Sequence, residues 1–414
     1  MFCAFCAEKQ CDSCKRRGVG VGGVGMSRAA WRRLAGSVPQ SLDAPRARVG
    51  VECVGFRASY WTGPARLLDG RLHATRWKRE IADAVARRGE ALGVPPPGLA
   101  AVVVGDRADS LLYVRRKGEA CEAAGMRFFH EHLPGDVDQE TVRAVLRRLN
   151  EDDDVHGVLL QLPVPGHLSE SRLLECINPR KDVDGLHPNN VGRLAMRGVW
   201  RPAFMPCAPL GCAELLRREG VRVRGKAVAV VGDSNVVGMP MSWLMRDAGA
   251  ASTTLLHTQA VDFLKAYRDM DPRERRSAET RRARDDVLRA VRDADVVVVG
   301  VGAPEIVTRD WVKPGAVVVD IGINAVPLLE DSKTGESTQS ANRRLENQPS
   351  PSEPNAYSLP GRAAFSVVGD VHAEDVSRVA GAMTSVPGGA GPMTIAALLS
   401  NTFLGASRRD RRAA

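Results

Sequence analysis

In SLLYVRRK, Ser110, Tyr113 and Lys117 recur at i, i+3 and i+7. On a helix that spacing puts a hydroxyl, a phenol and an amine on one stripe. An amine can pass a proton to or from a reacting group, and an aromatic neighbour suits a flat substrate. Taken alone, the stripe reads first as a solvated helix face. Gln161 follows the apolar run GVLL, at a strand's carboxyl end, where open α/β sheets bind ligands. Local backbone would equally satisfy its amide. In KDVDG, Lys181–Gly185, two aspartates flank a valine. Either the aspartates bond their own backbone in a turn, or a carboxylate is offered to the paired N–H donors of a planar ligand. TSVPGGAGPMT, residues 384–394, is rich in proline and glycine, which lets backbone approach a ligand closely.

A different chemistry belongs to VAVVGDSNVVGMP, residues 228–240. It reads as a buried strand, a glycine turn and a helix start. Such a turn, here with Gly232, Ser234 and Gly238, receives a nucleotide's diphosphate on helix N–H groups. Asp233 stands directly after the first glycine, an acid where an anion would lie.

The elements that must hold these residues are legible as alternating patterns. WKREIADAVARRGEAL is an amphipathic helix, PPPGLAAVVVGD a buried strand, and a second helix runs from Asp109 to about Ala124, closed by Gly125. HGVLLQLPVP is an apolar strand ended by prolines. KAVAVVGDSNVVG, STTLLHTQA, DADVVVVGVG and GAVVVDIGI form a second strand series. Strands alternating with helices predict parallel βαβ units, hence an α/β protein of two domains with a cleft between them. The expected boundaries are an extension at 1–64, a substrate domain at 65–207 plus 385–406, and a Rossmann-like domain at 208–384. A basic tail at 407–414 ends the chain. The charged stretch near 261–292 reads as a solvated helical insertion and the polar stretch near 328–362 as a disordered one.

With 44% hydrophobic and 26% charged residues, the 414-residue chain can bury sizeable cores. The net charge of +9 sits at the ends, +6 in residues 1–64 and +3 in the last ten, so the body is neutral and no nucleic-acid partner is expected. No apolar run is long enough to span a bilayer. Nine scattered cysteines argue against a secreted disulfide framework. Cys3, Cys6, Cys11 and Cys14 form two CxxC pairs only four residues apart, against the roughly 15–20 usual between zinc-ribbon pairs, so no metal is expected. From Met26 the chain is arginine-rich and acid-poor, the composition of an organelle transit peptide. That predicts a mitochondrial protein, with plastid or cytoplasm as alternatives.

SLLYVRRK, LLQLPVP, NPRKDVDGLHPNNVGRL, MPCAPLGC, VVGDSNVVGMPM, DIGIN, VVGDV and VPGGAGPMT occur in one order. In that order the chain resembles the bifunctional methylenetetrahydrofolate dehydrogenase/methenyltetrahydrofolate cyclohydrolases, from about Leu67 to Phe403. The resemblance implies oxidation of 5,10-methylenetetrahydrofolate by hydride transfer to a nicotinamide dinucleotide, then hydrolysis to 10-formyltetrahydrofolate. It makes Lys117 the catalytic lysine, with Tyr113 packed on the pterin and Gln161 hydrogen-bonded to the amine. It gives the substrate Ser110, Asp184, Pro387, Gly388 and Gly389. To the dinucleotide it gives Gly232, Asp233, Ser234, Gly238, His257, Thr258 and Ile323. It also implies a homodimer. The chain departs from the family pattern at Ala208, Thr258, Ser385 and Ala390, and Asp233 replaces an arginine that can pair with the 2′-phosphate of NADP. NAD is therefore the expected cofactor, with NADP the alternative. The other readings are a single-activity member of the family and a Rossmann dehydrogenase of another substrate; SxxYxxxK with QLPxP and KDVDG argues against the latter.

Overall fold

The computed structural model describes residues 64–196, 200–327, 356–357 and 365–413. Strand β1 (Arg66–Leu68) leads into helix α1 (Gly70–Leu92), whose N-terminus is capped by the Asp69 side chain accepting from the Leu72 N–H at 2.9 Å. Strand β2 (Gly98–Val104), helix α2 (Ala108–Ala123), β3 (Arg127–Leu133), α3 (Gln139–Glu151) and β4 (Gly157–Leu160) follow as two βαβ units. They form a three-stranded parallel sheet in the order β3-β2-β4. Helices α4 (Glu170–Leu174), α5 (Pro188–Ala195) and α6 (Cys207–Arg218) carry the chain across to the second sheet.

That sheet is built from β5 (Ala227–Val231), α7 (Gly238–Asp247), β6 (Ser252–Leu256), α8 (Thr258–Asp269), α9 (Pro272–Arg275), α10 (Ala278–Arg292), β7 (Val296–Val299) and β8 (Val317–Asp320). The short strands β9 (Asn324–Pro327), β10 (Ala356–Tyr357) and β11 (Phe365–Val368) make an antiparallel appendage. Helix α11 (Ala373–Val376), β12 (Ala382–Thr384) and the long helix α12 (Ala390–Ala413) finish the chain. The main sheet has six parallel strands ordered β1-β12-β8-β7-β5-β6.

Strands buried on both faces explain the unbroken apolar runs. Leu99, Ala101 and Val103 of β2 face a central core, together with Val228, Val230, Val296 and Val298 of the six-stranded sheet. Ala100, Val102 and Val104 face the outer core of the small sheet, and Ala229, Val231, Val297 and Val299 that of the large one. Helix α12 packs on α1 and α6 across the central core. The two sheets are thus joined by one apolar layer, and the cleft side chains are held from both.

Four expectations change. Arg66–Leu68 belongs to the six-stranded sheet, pairing with Ala382–Thr384, so the substrate domain does not begin at residue 65. The stretch 261–292 is not wholly solvated: Val261, Leu264, Leu288 and Val291 are buried in the outer core, and only its middle carries the exposed charges. Within 328–362, Ala356–Tyr357 pairs with β11, while the rest lies outside the described residues. The basic tail is the last turns of α12. The Asp410 carboxylate there receives both Arg88 Nε (2.7 Å) and Nη2 (2.8 Å), and Arg88 is only 4% exposed. Paired aspartate and arginine, so desolvated, hold the helix end against α1.

His156, just before β4, is buried, and its Nδ1 accepts the Gly98 N–H at 3.0 Å. Burial, with Arg88 and Arg409 nearby, lowers its pKa to about 4. The unfolded ring titrates near 6.5, so the stability gained from keeping it neutral is present above that pH and is lost as pH falls through 4. On going from pH 7 to 4.5 the protein is expected to lose on the order of 2 kcal/mol more than His156→Gln does, after discounting for solvent. Urea midpoints for both proteins at the two pH values check this; equal losses would remove histidine from the account.

Candidate functional site

Helix α2 brings its polar stripe to the carboxyl edge of the small sheet. Lys117 is 9% exposed and its Nζ donates to Gln161 Oε1 at 3.0 Å. Gln161 is fixed in turn: its backbone N–H donates to Val102 O at 2.8 Å and its Nε2 to Leu162 O at 2.8 Å. With its Nε2 turned to Leu162 O, the glutamine presents its carbonyl oxygen to the lysine as an acceptor. The Leu162–Pro163 bond that follows is cis. Tyr113 is half-buried on the same face. Ser110 is 4% exposed, and its buried hydroxyl has no hydrogen-bond partner, so a polar group arriving in the cleft would satisfy it.

The two aspartates of KDVDG part company. Asp182, 1% exposed, accepts from Leu186 N (3.2 Å), His187 N (2.8 Å) and Asn190 Nδ2 (2.8 Å), and burial raises its pKa to about 7. It holds the turn. Asp184 is half-buried and lies beside the Cys207 thiol, which is pushed well up by burial first and by Asp184 next, with Lys117 close enough to oppose the shift. Amine, carboxylate and thiol therefore converge. Cys207 Sγ donates to Val183 O at 3.2 Å, and Asn401 Nδ2 of α12 reaches Val183 O (2.8 Å) and Met205 O (3.0 Å). Sequence reasoning gave Cys207 and Asn401 no role. Cys207 was visible in MPCAPLGC, whereas nothing near Asn401 marks it.

Pro387, Gly388 and Gly389 lie beyond β12 at the start of α12, and no hydrogen bond joins them to Lys117 or Gln161 among the described residues. The Val386–Pro387 bond is cis and Gly388 has φ of 115°. The loop is packed against α1, since a Cβ on Gly70 would meet Gly389 O at 1.9 Å.

The second cluster crowns β5. A Cβ on Gly238 would stand 1.8 Å from Gly232 O, so only glycine lets α7 start against this turn. The N-cap Val237 leaves the first turn of α7 without a side-chain cap, and Ser234 Oγ accepts from Val237 N at 3.2 Å. Asp233 Oδ1 accepts both the Thr258 N–H (3.0 Å) and its hydroxyl (2.5 Å), and these bonds lower the carboxyl pKa. Asp233 thus reaches the tip of β6, where His257 and Thr258 are exposed. Ile323, between β8 and β9, is 46% exposed.

Two aspartates absent from the expected site brace this end of the sheet. Asp370 accepts from Val301 N (2.6 Å), Gly302 N (3.0 Å) and Ala303 N (2.9 Å), fixing the loop after β7. Asp320 accepts from Val371 N (2.9 Å) and Gly322 N (2.9 Å), and burial raises it to about 7. Among the described residues no cluster of His, Cys, Asp or Glu could hold a metal ion, and no helix is long and apolar enough to cross a membrane. The CxxC pairs lie outside the described residues.

Residues 68–184 match the tetrahydrofolate dehydrogenase/cyclohydrolase catalytic domain, and residues 206–271, 278–351 and 357–410 match the NAD(P)-binding domain of the same family. Bifunctional protein FolD 4, chloroplastic, of Arabidopsis thaliana is 40% identical over 84% of this chain and 80% of its own. Bifunctional protein FolD 1/3 of Ruegeria pomeroyi is 38% identical over 84% of this chain and 96% of its own. A Trypanosoma brucei methylenetetrahydrofolate dehydrogenase-cyclohydrolase, solved with NADP and an inhibitor, is 32% identical with a TM-score of 0.66, covering 84% of this chain and 99% of that one. With both domains matched and the lysine cluster and glycine turn at the edges of their sheets, the chain belongs to the tetrahydrofolate dehydrogenase/cyclohydrolase family.

Proposed function

We infer that this enzyme oxidises 5,10-methylenetetrahydrofolate to the methenyl form and hydrolyses that to 10-formyltetrahydrofolate. The observation that carries the chemistry is the Lys117–Gln161 contact of 3.0 Å, beside the half-buried Asp184. Asp184 offers two acceptor oxygens to the pterin's row of N–H donors, and Tyr113 offers a ring to its face. Ser110 has a free hydroxyl for the same ligand.

The glycine turn fits a dinucleotide: α7 starts without a side-chain cap, and a Cβ on Gly238 would fill the space against Gly232 O. When bound, the nicotinamide accepts the hydride that leaves the one-carbon bridge. In the second step water adds to the methenyl carbon, the bond from that carbon to N5 breaks, and one proton is released. Lys117 is placed to move that proton, held by Gln161 in one orientation. Arginine could not do so, because guanidinium keeps its charge. Oxidation of methylenetetrahydrofolate, measured with NAD and with NADP, and hydrolysis of methenyltetrahydrofolate test the reading together. Hydrolysis without reduced dinucleotide would leave only the single-activity alternative.

Gly238→Ala should raise the dinucleotide KM at least about tenfold while sparing hydrolysis, because its methyl group would collide with Gly232 O at the diphosphate turn. Steady-state kinetics of both steps in the one variant decide it; an unchanged KM would move the dinucleotide elsewhere. A homodimer, an NAD preference and import into a mitochondrion complete the reading. The last rests on the arginine bias from Met26, in a segment outside the described residues. A cytosolic full-length protein with its N-terminus intact would contradict it.

A further inference from the structure

The +3 at the end of the chain is built into the fold rather than trailing from it. Arg408 and Arg409 of α12 line a cavity of about 710 Å³, together with Arg180, Lys181, Arg193 and Arg201. That volume suits a compact small molecule. Among the described residues no aspartate or glutamate lines it, although the body of the chain carries as many acids as bases.

Some of these cations are already spoken for. Arg409 pairs with Asp153 at 2.6 Å, Lys181 Nζ donates to Leu149 O and Asp152 O, and Arg408 lies over the Phe204 ring. Arg193 Nη1 donates to Arg201 O at 3.4 Å. The guanidinium groups of Arg180 and Arg201 make no ion pair among the described residues. Asp153 offsets one of these charges, Arg409; the remaining like charges around the concavity repel one another, and an anion would relieve that repulsion. Burial is the main cause that lowers His156 and the half-buried Lys181; Arg409 adds to it in both, against Asp410 at His156 and Asp152 and Asp153 at Lys181.

The cavity is not the catalytic cleft. Val155 and His156, at the amino end of β4, line it, whereas Gln161 stands beyond the carboxyl end, about 16 Å away at 3.3 Å per residue. The segment that supplies Asp184 runs from one to the other, parallel to β4 through the Val158–Asp182 bridge. Asn190, in the cavity wall, donates to Pro179 O (2.9 Å) and to Asp182 Oδ2 (2.8 Å).

We propose that this arginine-lined cavity behind the small sheet is a binding site for a small multivalent oxyanion, a molecule with two or more phosphate or carboxylate groups. Arginine forks match either group in bidentate fashion. Full-length protein with both dinucleotides at saturating concentration, which keeps the diphosphate turn filled, is titrated calorimetrically with pyrophosphate and, separately, with citrate. At low salt one of them at least should bind at one site per chain and weaken as NaCl is raised. Binding should fall at least about tenfold in Arg180→Gln/Arg201→Gln, whose exposed, unpaired side chains can be lost without unfolding the protein. Pyrophosphate alone would identify a phosphate site, and citrate alone a carboxylate site. No saturable binding of either, or binding undiminished in the double variant and in Arg193→Gln, would overturn the proposal.

Discussion

Replacing Lys117 by methionine is expected to lower methenyltetrahydrofolate hydrolysis at least about 100-fold, the scale of a positioned acid–base group. Methionine keeps an unbranched stem at a site only 9% exposed, so packing changes little and the loss falls on the amine. Lys117→Arg should be nearly as poor, since it restores charge but cannot give up its proton. Hydride transfer moves no proton to the protein, so oxidation of methylenetetrahydrofolate should fall less than hydrolysis and the ratio of the two rates should rise. Single-turnover measurements of each step, with thermal midpoints to show that the variants are folded, separate these effects. Hydrolysis within a few-fold of the parent enzyme would remove Lys117 from the chemistry.

The parts of this arrangement that were legible in sequence are those fixed by local pattern. GLAAVVV and VVVV, buried on both faces, could only be interior parallel strands. The spacing of Ser110, Tyr113 and Lys117 required no more than a helix. What escaped reading depended on partners far along the chain. RLL at residues 66–68 becomes a strand only because Ala382–Thr384 lies beside it. SRRDRR reads as a solvated tail until Arg88 is placed against Asp410, 322 residues away. The KDVDG aspartates are alike in sequence, and only the N–H groups of Leu186 and His187 turned toward Asp182 separate the turn's anchor from the half-buried acid of the cleft. Charge patterning misled in the same way at 261–292, where frequent arginines hide the four apolar residues that dock α8 and α10.

The enzyme is expected to prefer NAD to NADP by at least about tenfold in kcat/KM, and the geometry at Asp233 gives the reason. One carboxylate oxygen is held by the Thr258 N–H and hydroxyl; the other has no partner among the described residues. An acid at the tip of the second strand ordinarily accepts from the ribose 2′-hydroxyl. Here the second strand, β6, ends in His257 and Thr258, and Asp233 reaches that tip from the first βα turn instead. Its free oxygen can take the same proton, whereas a 2′-phosphate would meet a like charge. The Thr258 bonds lower its pKa below the usual carboxylate value, so the charge and the preference should persist throughout pH 5–8. Arginines elsewhere could in principle rescue NADP. However, Arg273, Arg275 and Arg276 lie beyond the far end of α8, whose 12 residues span about 18 Å, more than a Debye length from Thr258 at physiological salt. Arg284 is engaged by Asp310 and lies 5.2 Å from the Tyr267 ring centroid. Asp233→Arg reverses the charge, and should move the NAD/NADP ratio of kcat/KM toward NADP by roughly 100-fold. Asp233→Asn, which can still accept from Thr258, should move it part of the way. Both ratios are measured by methylenetetrahydrofolate oxidation, with and without magnesium and phosphate. A clear NADP preference in the parent enzyme, or an unmoved ratio in Asp233→Arg, would show that this carboxylate does not face the ribose.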